Sequence, residues 1–149
     1  ETRRSGEKFA LILLDINDFK QVNDRHGHSA GDSVLTELAN RLKNTVRESD
    51  FAGRLGGDEF IILARQIDTE ALLAQMLERM RQQLDGTMTL SGNDIDIRIS
   101  MGAAVFPSDG DTLDTLLGAA DTAMYVDKKK QKRGTAVDVV DSQPDTPYS

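Results

Sequence analysis

The chain has 149 residues, a length that fits one domain with a buried core, and it has no cysteine, which excludes disulfides and thiolate metal sites. Its net charge of −7 argues against a nucleic-acid partner, because neutralising phosphates needs a broad basic face. No apolar run approaches the ~20 residues of a membrane span and no secretory signal is present. We therefore expect a cytoplasmic domain without membrane contact, and a small anionic ligand held with metal ions remains compatible with the charge.

The first half of the chain predicts one buried strand followed by helices. The apolar run from Phe9 to Leu14 is typical of a central strand, and Asp15 ends it. A short helical turn over 18–24 and a polar loop over 25–28 follow, and we expect Ser29 to cap the next helix. That helix is indicated by apolar residues that recur every three or four positions. They are Val34, Leu35, Leu38, Ala39, Leu42 and Val46.

The second half predicts a hairpin, a helix, a strand and a final helix. The hairpin from Phe51 to Ala64 is indicated by two apolar segments that flank Gly56-Gly57, because a tight two-residue turn needs the positive φ that glycine adopts freely. The segment from Leu72 to Leu84 has helical spacing, and one half-exposed strand runs from Ile95 to Phe106. The last helix begins near Leu113 and ends in a basic run. This order predicts an α+β fold with helices packed on a mainly antiparallel sheet.

Two adjacent carboxylates, Asp58 and Glu59, follow the predicted turn. They repel each other, so a cation is expected beside them, and a hard divalent metal that carries phosphates suits the position. Asp15, taken alone, is typical of a turn or cap residue at a strand end. If its strand lies beside the hairpin, three carboxylates converge at one end of the sheet. Such a group indicates a site for two cations.

The polar segment from Asn23 to Asp32 lies between strongly structured elements. Its simplest interpretation is a loop that places Asp32 in the first turn of a helix, where the helix dipole favours a carboxylate. Its functional interpretation is a guanine site. A carboxylate accepts hydrogen bonds from both N1–H and the 2-amino group of guanine, and the Asn23 amide suits O6 or N3. Adenine lacks that pair of donors, so such a site would reject ATP.

The pentapeptide Gly56-Gly57-Asp58-Glu59-Phe60 is the signature of the GGDEF family of diguanylate cyclases, and the chain resembles that family from about Phe9 to Gly134. The resemblance implies the ferredoxin-like palm of nucleotidyl cyclases. It also implies that a homodimer condenses two GTP into cyclic di-GMP and two pyrophosphates, since each domain binds one GTP. We expect this domain to cover residues 1–135 and residues 136–149 to be a disordered tail or linker.

The first predicted strand begins only a few residues into the chain. Members of the family usually have a helix and an Asp-x-Leu-Thr motif ahead of this strand, and neither precedes it here. We therefore expect a fragment of a longer protein with a sensory domain upstream. Segments that anchor the full-length protein in a membrane could lie outside this sequence.

The resemblance assigns the metal and catalytic groups. Asp15, Asp58, Glu59 and the backbone carbonyl of Ile16 would ligate Mg²⁺, with Mn²⁺ as an alternative. Asp58 and Glu59 would also be the catalytic residues, with Asp58 as the proton acceptor, and their separate roles stay open. Asn17 stands where the family commonly has a second aspartate of an Asp-x-Asp triplet.

The resemblance also assigns the substrate contacts. The motif Asn-Asp-x-x-Gly-His-x-x-Gly-Asp matches completely and implies guanine recognition, the Phe-Lys pair after the first metal ligand would approach the phosphates, and two lysines of the last helix would hold the triphosphate. The run over 128–133 also has a simpler interpretation as a solvated helix end favoured by the dipole. The residues carried over as substrate-binding are Asn23, His28, Asp32, Phe19, Lys20, Lys128 and Lys132.

Arg47 and Asp50 coincide with the inhibitory product site of the family, where arginine stacks on a guanine and aspartate accepts from its edge. The resemblance therefore implies that cyclic di-GMP is an inhibitor as well as the product. Arg79 stands where the family supplies a second arginine. Without the resemblance, Arg47 and Asp50 are an i,i+3 surface pair that contributes about a few tenths of a kcal/mol.

Two alternatives to the cyclase remain. A non-catalytic sensor of this fold would bind GTP or cyclic di-GMP and regulate a partner, but degenerate members lose the hairpin carboxylates that Asp58 and Glu59 preserve here. A nucleotidyltransferase that uses ATP or makes a mixed dinucleotide is disfavoured by Asn23 and Asp32.

Overall fold

Ten helices and strands make up the part of the chain that the computed structural model describes, residues 6–135, with side chains described as far as Gln131. The strands are β1 (Phe9–Ile16), β2 (Phe51–Gly56), β3 (Glu59–Arg65), β4 (Gly86–Leu90), β5 (Asn93–Ile97) and β6 (Ile99–Phe106). The helices are α1 (Phe19–His26), α2 (His28–Thr45), α3 (Glu70–Leu84) and α4 (Leu113–Thr135). The predicted tail over 136–149 lies outside the described residues. Within them, no helix combines the length and apolar character needed to cross a bilayer.

Four strands form one antiparallel sheet in the order β2-β3-β1-β6. β1 is central because its side chains are apolar on both faces, and every residue after Phe9 is buried. One helical crossover joins β1 to β2 and another leads from β3 toward β6, which gives the ferredoxin-like arrangement and confirms the predicted α+β class. A separate two-stranded hairpin of β4 and β5 is inserted before β6.

The two faces of β1 pack against different helices. The even-numbered side chains from Ala10 to Ile16 belong to the larger core, which α1, α2, α3 and the β4-β5 hairpin cover. Leu11 and Leu13 face the other way and join a smaller core with α4. The α4 residues of that core are Leu116, Ala120 and Met124. Since side chains alternate along a strand, Asp15 lies on the same face as Leu13 and points toward α4.

α4 lies directly on β6 at Gly102. A Cβ atom at this position would lie 2.1 Å from the carbonyl oxygen of Ala120 and 2.1 Å from the amide nitrogen of Met124. Both are backbone atoms that cannot move without moving the helix, so only glycine permits this packing. Because Met124 is about one helical turn before Lys128, the contact also determines where Lys128 meets the sheet.

The outer edge of β6 is covered by side chains. Asp85 accepts a hydrogen bond from the Ile99 amide and Asp127 accepts one from the Met101 amide, both at 2.8 Å. Arg81 donates to the Ile99 carbonyl at 3.0 Å and to the Asp127 carboxylate at 2.7 Å. Edge strands with free backbone groups pair readily with other chains, so this network protects the sheet and ties α3 and α4 to it.

Three local predictions are wrong. α2 begins at His28, directly after Gly27 at φ 93°, and no side chain caps it, so Ser29 lies inside the first turn and is not the N-cap. Most of the loop predicted over 25–28 is helical, because α1 and α2 are separated only by that glycine. The strand predicted from Ile95 to Phe106 is two strands that break at Arg98, and the first of them pairs with β4, which the sequence pattern does not predict.

We predict that Gly102→Ala lowers the free energy of unfolding by at least about 1–3 kcal/mol, because the added methyl group overlaps the α4 backbone. Gly118→Ala is the matched control, because Gly118 lies on α4 itself and has nothing within 4 Å of its added Cβ. We expect this control to raise stability by up to about 1 kcal/mol through helix propensity. Urea denaturation of both variants measures the effect, and equal stability of the two would contradict the packing.

Candidate active site

The carboxylates at the end of β1 and at the start of β3 face one another. Asp15 is directly opposite Glu59 in the antiparallel register, so their side chains lie on the same face of the sheet. Asp58 occupies the turn immediately before β3 and is half-buried, as is Glu59. Ser100 of β6 is opposite Asp15 on the other side, and its hydroxyl donates to Oδ1 of Asn17 at 2.6 Å.

Asp15 is the most strained of these groups electrostatically. It is 7% exposed, Oδ2 accepts a hydrogen bond from Nζ of Lys128 at 3.1 Å, and Oδ1 is buried without a hydrogen-bond partner among the described residues. Burial raises the pKa of the Asp15 carboxyl, the hydrogen bond from Lys128 opposes that rise, and the charges of Asp58 and Glu59 add to it. This carboxylate therefore needs positive charge nearby.

The donor chemistry of the site suits a hard divalent cation. The unpaired oxygen of Asp15 lies beside the charges of Asp58 and Glu59, and carboxylate oxygens are the ligands that Mg²⁺ prefers. Within the described part of the chain, however, no three Asp, Glu, His or Cys side chains form a group that could hold a metal ion as they stand. Ile16, whose carbonyl is the predicted fourth ligand, ends β1 and is 2% exposed.

The turn that carries Asp58 is stabilised by Arg54, a residue that was not among the predicted site residues. Gly56 and Gly57 have φ of 146° and 54°, and the two residues between the strands are Gly57 and Asp58, one position later than predicted. Nε and Nη2 of Arg54 both donate to the Gly57 carbonyl, at 2.9 and 2.6 Å. A charged residue in an otherwise apolar strand, three positions before the turn, is the signal that could have identified it.

The predicted guanine ligands come together because the side chain of Asn23 lies on the first turn of α2. A Cβ atom at Gly31 would lie 1.9 Å from Oδ1 of Asn23 and 3.2 Å from Cζ of Phe19. A larger residue at Gly31 would displace the Asn23 side chain, and Asp32 follows Gly31 directly. Asp32 is exposed at one end of a pocket of about 490 Å³ between α2 and the β2-β3 hairpin, a volume in the usual range for small ligands. Arg54 and Phe60 line its other side.

The remaining predicted substrate residues lie at the starts of α1 and α2 and near the end of α4. Phe19 begins α1 and packs against the larger core, while Lys20 beside it is exposed. His28 is the exposed first residue of α2. Lys128 contacts Asp15, and the side chain of Lys132 lies outside the described residues although its backbone belongs to α4.

Arg47 and Asp50 pair with each other and with the end of β3. Nε and Nη2 of Arg47 donate to the two oxygens of Asp50 at 2.9 and 3.0 Å, and the Arg65 amide donates to Asp50 at 3.1 Å. The Asp50 side chain is fully buried, whereas that of Arg47 is 42% exposed. Nη2 of Arg79 donates to the Thr45 carbonyl at 2.7 Å, which brings a second arginine to the same end of α2. Asp50 therefore has its hydrogen bonds within the protein in this conformation.

The family model for the diguanylate cyclase GGDEF domain matches residues 1–134. The chain belongs to the GGDEF domain family. Two curated relatives are diguanylate cyclases: TpbB of Pseudomonas aeruginosa strain PAO1, 38% identical over 87% of this chain, and DosC of Escherichia coli K12, 34% identical over 85%. The GGDEF chain covers 30% and 28% of their lengths, and only 15–34% of the length of each of the first curated relatives it matches.

Solved structures of GGDEF proteins share the fold. A sensory box/GGDEF family protein from Caulobacter crescentus CB15 matches with a TM-score of 0.82 and 38% identity over 87% of this chain and 83% of that one. The GGDEF domain of DgcB from the same species, solved in complex with c-di-GMP, matches with a TM-score of 0.78 and 28% identity over 87% and 77%. The ferredoxin-like architecture predicted from the sequence is therefore that of the family.

Proposed function

We propose that this domain is a diguanylate cyclase that condenses two GTP into cyclic di-GMP and two pyrophosphates. The observation that carries the proposal is the buried carboxylate of Asp15, which faces Glu59 across the register and lies beside the turn that presents Asp58. A diguanylate cyclase needs carboxylates at such a position to hold divalent cations, because these cations neutralise the high negative charge of the reacting phosphates. The family membership and the curated cyclases among the relatives support the same assignment.

The chemistry is an in-line displacement at phosphorus. The 3′-oxygen of one GTP forms a bond to the α-phosphorus of the other, the bond from that phosphorus to the bridging oxygen breaks, and pyrophosphate leaves with the electron pair. Asp58 accepts the hydroxyl proton. Two Mg²⁺, held by Asp15, Asp58, Glu59 and the Ile16 carbonyl, would lower the pKa of the hydroxyl and neutralise the developing charge. Lys128 and Lys132 balance the charge of the triphosphate.

Guanine selection is assigned to Asn23 and Asp32, with His28 beside them. Asp32 lies at the pocket between α2 and the hairpin, where its carboxylate can accept from N1–H and the 2-amino group of a guanine. Phe19 and Asn23 both lie close to Gly31 of α2, and Lys20, exposed on the same helix as Asn23, would contact the phosphates. The base and the triphosphate thus extend from the pocket to the carboxylates.

Catalysis requires two copies of the domain. Each domain binds one GTP, and both 3′-hydroxyls must attack the other nucleotide, so two domains meet face to face in a homodimer. The curated relatives are longer than this chain, which supports a sensory domain elsewhere in the full-length protein that controls the encounter. The reaction would take place in the cytoplasm, where GTP is available.

We expect Asp58→Ala to abolish formation of cyclic di-GMP, while GTP binding weakens but persists through the guanine contacts and the lysines. The measurement is product formation from GTP and Mg²⁺ at high protein concentration, analysed by chromatography. Asp96→Ala, which removes an exposed carboxylate from β5, is the control and should retain the parental rate. Turnover of Asp58→Ala within a few-fold of the parent would refute the catalytic assignment, and GTP binding without turnover in the parent would favour a sensor.

We expect Asp32→Ala to relax the choice of base, because a good bidentate contact to a base contributes about 1–3 kcal/mol of discrimination. The measurement is competition of ATP against a labelled GTP analogue. Glu37→Ala, on the same helix but paired with Arg41 at 3.0 Å, is the control and should leave the preference unchanged. If ATP competes no better with Asp32→Ala than with the parent, Asp32 is only an exposed residue of α2, beyond the first turn where a carboxylate was predicted.

Product feedback is proposed at Arg47, Asp50 and Arg79. Cyclic di-GMP would stack on the Arg47 guanidinium and replace the Arg65 amide and Arg47 as hydrogen-bond partners of Asp50, so binding must open the contact between Asp50 and the end of β3. That strand begins at Glu59, which links the product site to the catalytic carboxylates. The complex of DgcB with c-di-GMP shows that a GGDEF domain at 28% identity binds the dinucleotide.

We expect Arg47→Ala to weaken binding of cyclic di-GMP by at least about tenfold, because the variant loses a charge-assisted contact to phosphate and the stacking surface. Titration calorimetry in the absence of GTP measures the affinity. Arg41→Ala removes an arginine of α2 whose guanidinium pairs with Glu37, and it should bind the dinucleotide as the parent does. If all three proteins bind cyclic di-GMP with equal affinity, Arg47 and Asp50 are only a structural ion pair.

A further inference from the structure

Lys128 is the cation that neutralises Asp15 in the described part of the chain. Its Nζ lies 3.1 Å from Oδ2 of Asp15, and the two side chains are 30% and 10% exposed. A partly buried pair is screened much less by salt than a surface pair. A divalent ion that bound Asp15 would therefore meet an ammonium group already in contact with the same carboxylate, and the two positive charges would repel.

The backbone beside Lys128 is held in place by contacts that do not involve the nucleotide. Asp127 accepts from the Met101 amide and from Arg81, and Gly102 seats the preceding turn of α4 against the sheet. Lys128 can therefore leave Asp15 by rotation of its own side chain, while the helix stays where it is. A lysine suits such a movement, because its ammonium is a compact charge on a flexible stem.

Removal of Lys128 from Asp15 has two electrostatic requirements. A buried carboxylate that loses its partner needs another cation, and an ammonium that leaves it needs another anion. A divalent ion alone meets only the first requirement, and a triphosphate alone meets only the second. A nucleoside triphosphate that arrives with its divalent ion meets both at once.

We propose that Lys128 makes metal binding at Asp15 depend on the nucleotide: its ammonium holds Asp15 in the free protein and transfers to the triphosphate when the metal and the nucleotide enter together. This inference rests on the proposed function, since it assumes that Asp15 is a metal ligand. Lys128 is then a positioning residue that sets the order of loading, in addition to its contact with phosphate. By linkage, the nucleotide and the metal each raise the affinity for the other by the same factor.

The first experiment measures binding of Mn²⁺ alone, by electron paramagnetic resonance of the free ion, at about pH 8, where an ordinary carboxyl is ionised. We expect Lys128→Met to bind Mn²⁺ at least about tenfold more tightly than the parent, because the competing ammonium is gone. Lys129→Met is the matched control: Lys129 lies over the ring of Tyr125 on the same helix end, so its loss changes the net charge equally without freeing Asp15. An equal effect in both variants, or none in Lys128→Met, would overturn the proposal.

The second experiment needs no substitution of Lys128 and so remains decisive if Lys128→Met fails to fold. A non-hydrolysable GTP analogue is titrated in the presence of a chelator. Asp15→Asn should bind it at least about threefold more tightly than Glu59→Gln does, because both variants lose one negative charge but only the first releases Lys128. Equal affinities would contradict the proposal.

A third measurement, Mn²⁺ binding by Asp15→Asn in the presence of the analogue, separates this inference from the function on which it rests. If Asp15→Asn does not weaken Mn²⁺ binding in the presence of the analogue, Asp15 is not a metal ligand and the proposed active site is wrong. If Asp15→Asn weakens it but Lys128→Met leaves the affinity for Mn²⁺ alone unchanged, the active site stands and only the role of Lys128 in loading is refuted.

Discussion

The whole site depends on one constraint, a carboxylate buried at the end of the central strand. Asp15 is held there because β1 buries apolar side chains on both of its faces, so Asp15 cannot move to solvent without disrupting both cores. Burial without a counter-charge is costly, which is why the position of every nearby charge matters. Glu59 is placed by the register of β3, and Lys128 is placed by the seating of α4 on Gly102.

Glycine is favoured at two positions of the site for different physical reasons. Gly57 adopts φ of 54°, which glycine reaches without strain. Arg54 donates a hydrogen bond to its carbonyl, so a side chain also stabilises the turn that presents Asp58. Gly31 is helical, and a larger residue there would displace the side chain of Asn23, whose Oδ1 lies where a Cβ would be. The spacing of the polar motif thus reflects a contact between two helices, as well as the predicted guanine contacts.

The sequence was sufficient where the signal is local. The run from Phe9 to Leu14, the helical spacing in α2 and α3, and the turn glycines predict their elements, and the order of elements implies the pairing of β1 with β3. The β4-β5 hairpin could not be predicted because its burial comes from distant partners: Met88 and Ile95 cover the larger core, while the strand residues around them are polar. The buried state of Asp50 depends on Arg65, fifteen residues away, and so leaves no local pattern.

Two neighbouring residues of α4, Asp127 and Lys128, have their charges held in different ways. Asp127 has a short side chain that accepts hydrogen bonds from the Met101 amide and from Arg81, so its charge is fixed between two elements. Lys128 follows it on a long stem and bonds a single oxygen of Asp15, so its charge can be exchanged. Asp127 contacts β6 and Arg81 of α3 and makes no contact with the carboxylates among the described residues. Lys128 can therefore leave Asp15 while α4 stays packed on the sheet. A movable cation on a fixed helix is what a site needs if it is to hold its carboxylates apart from metal until a triphosphate arrives.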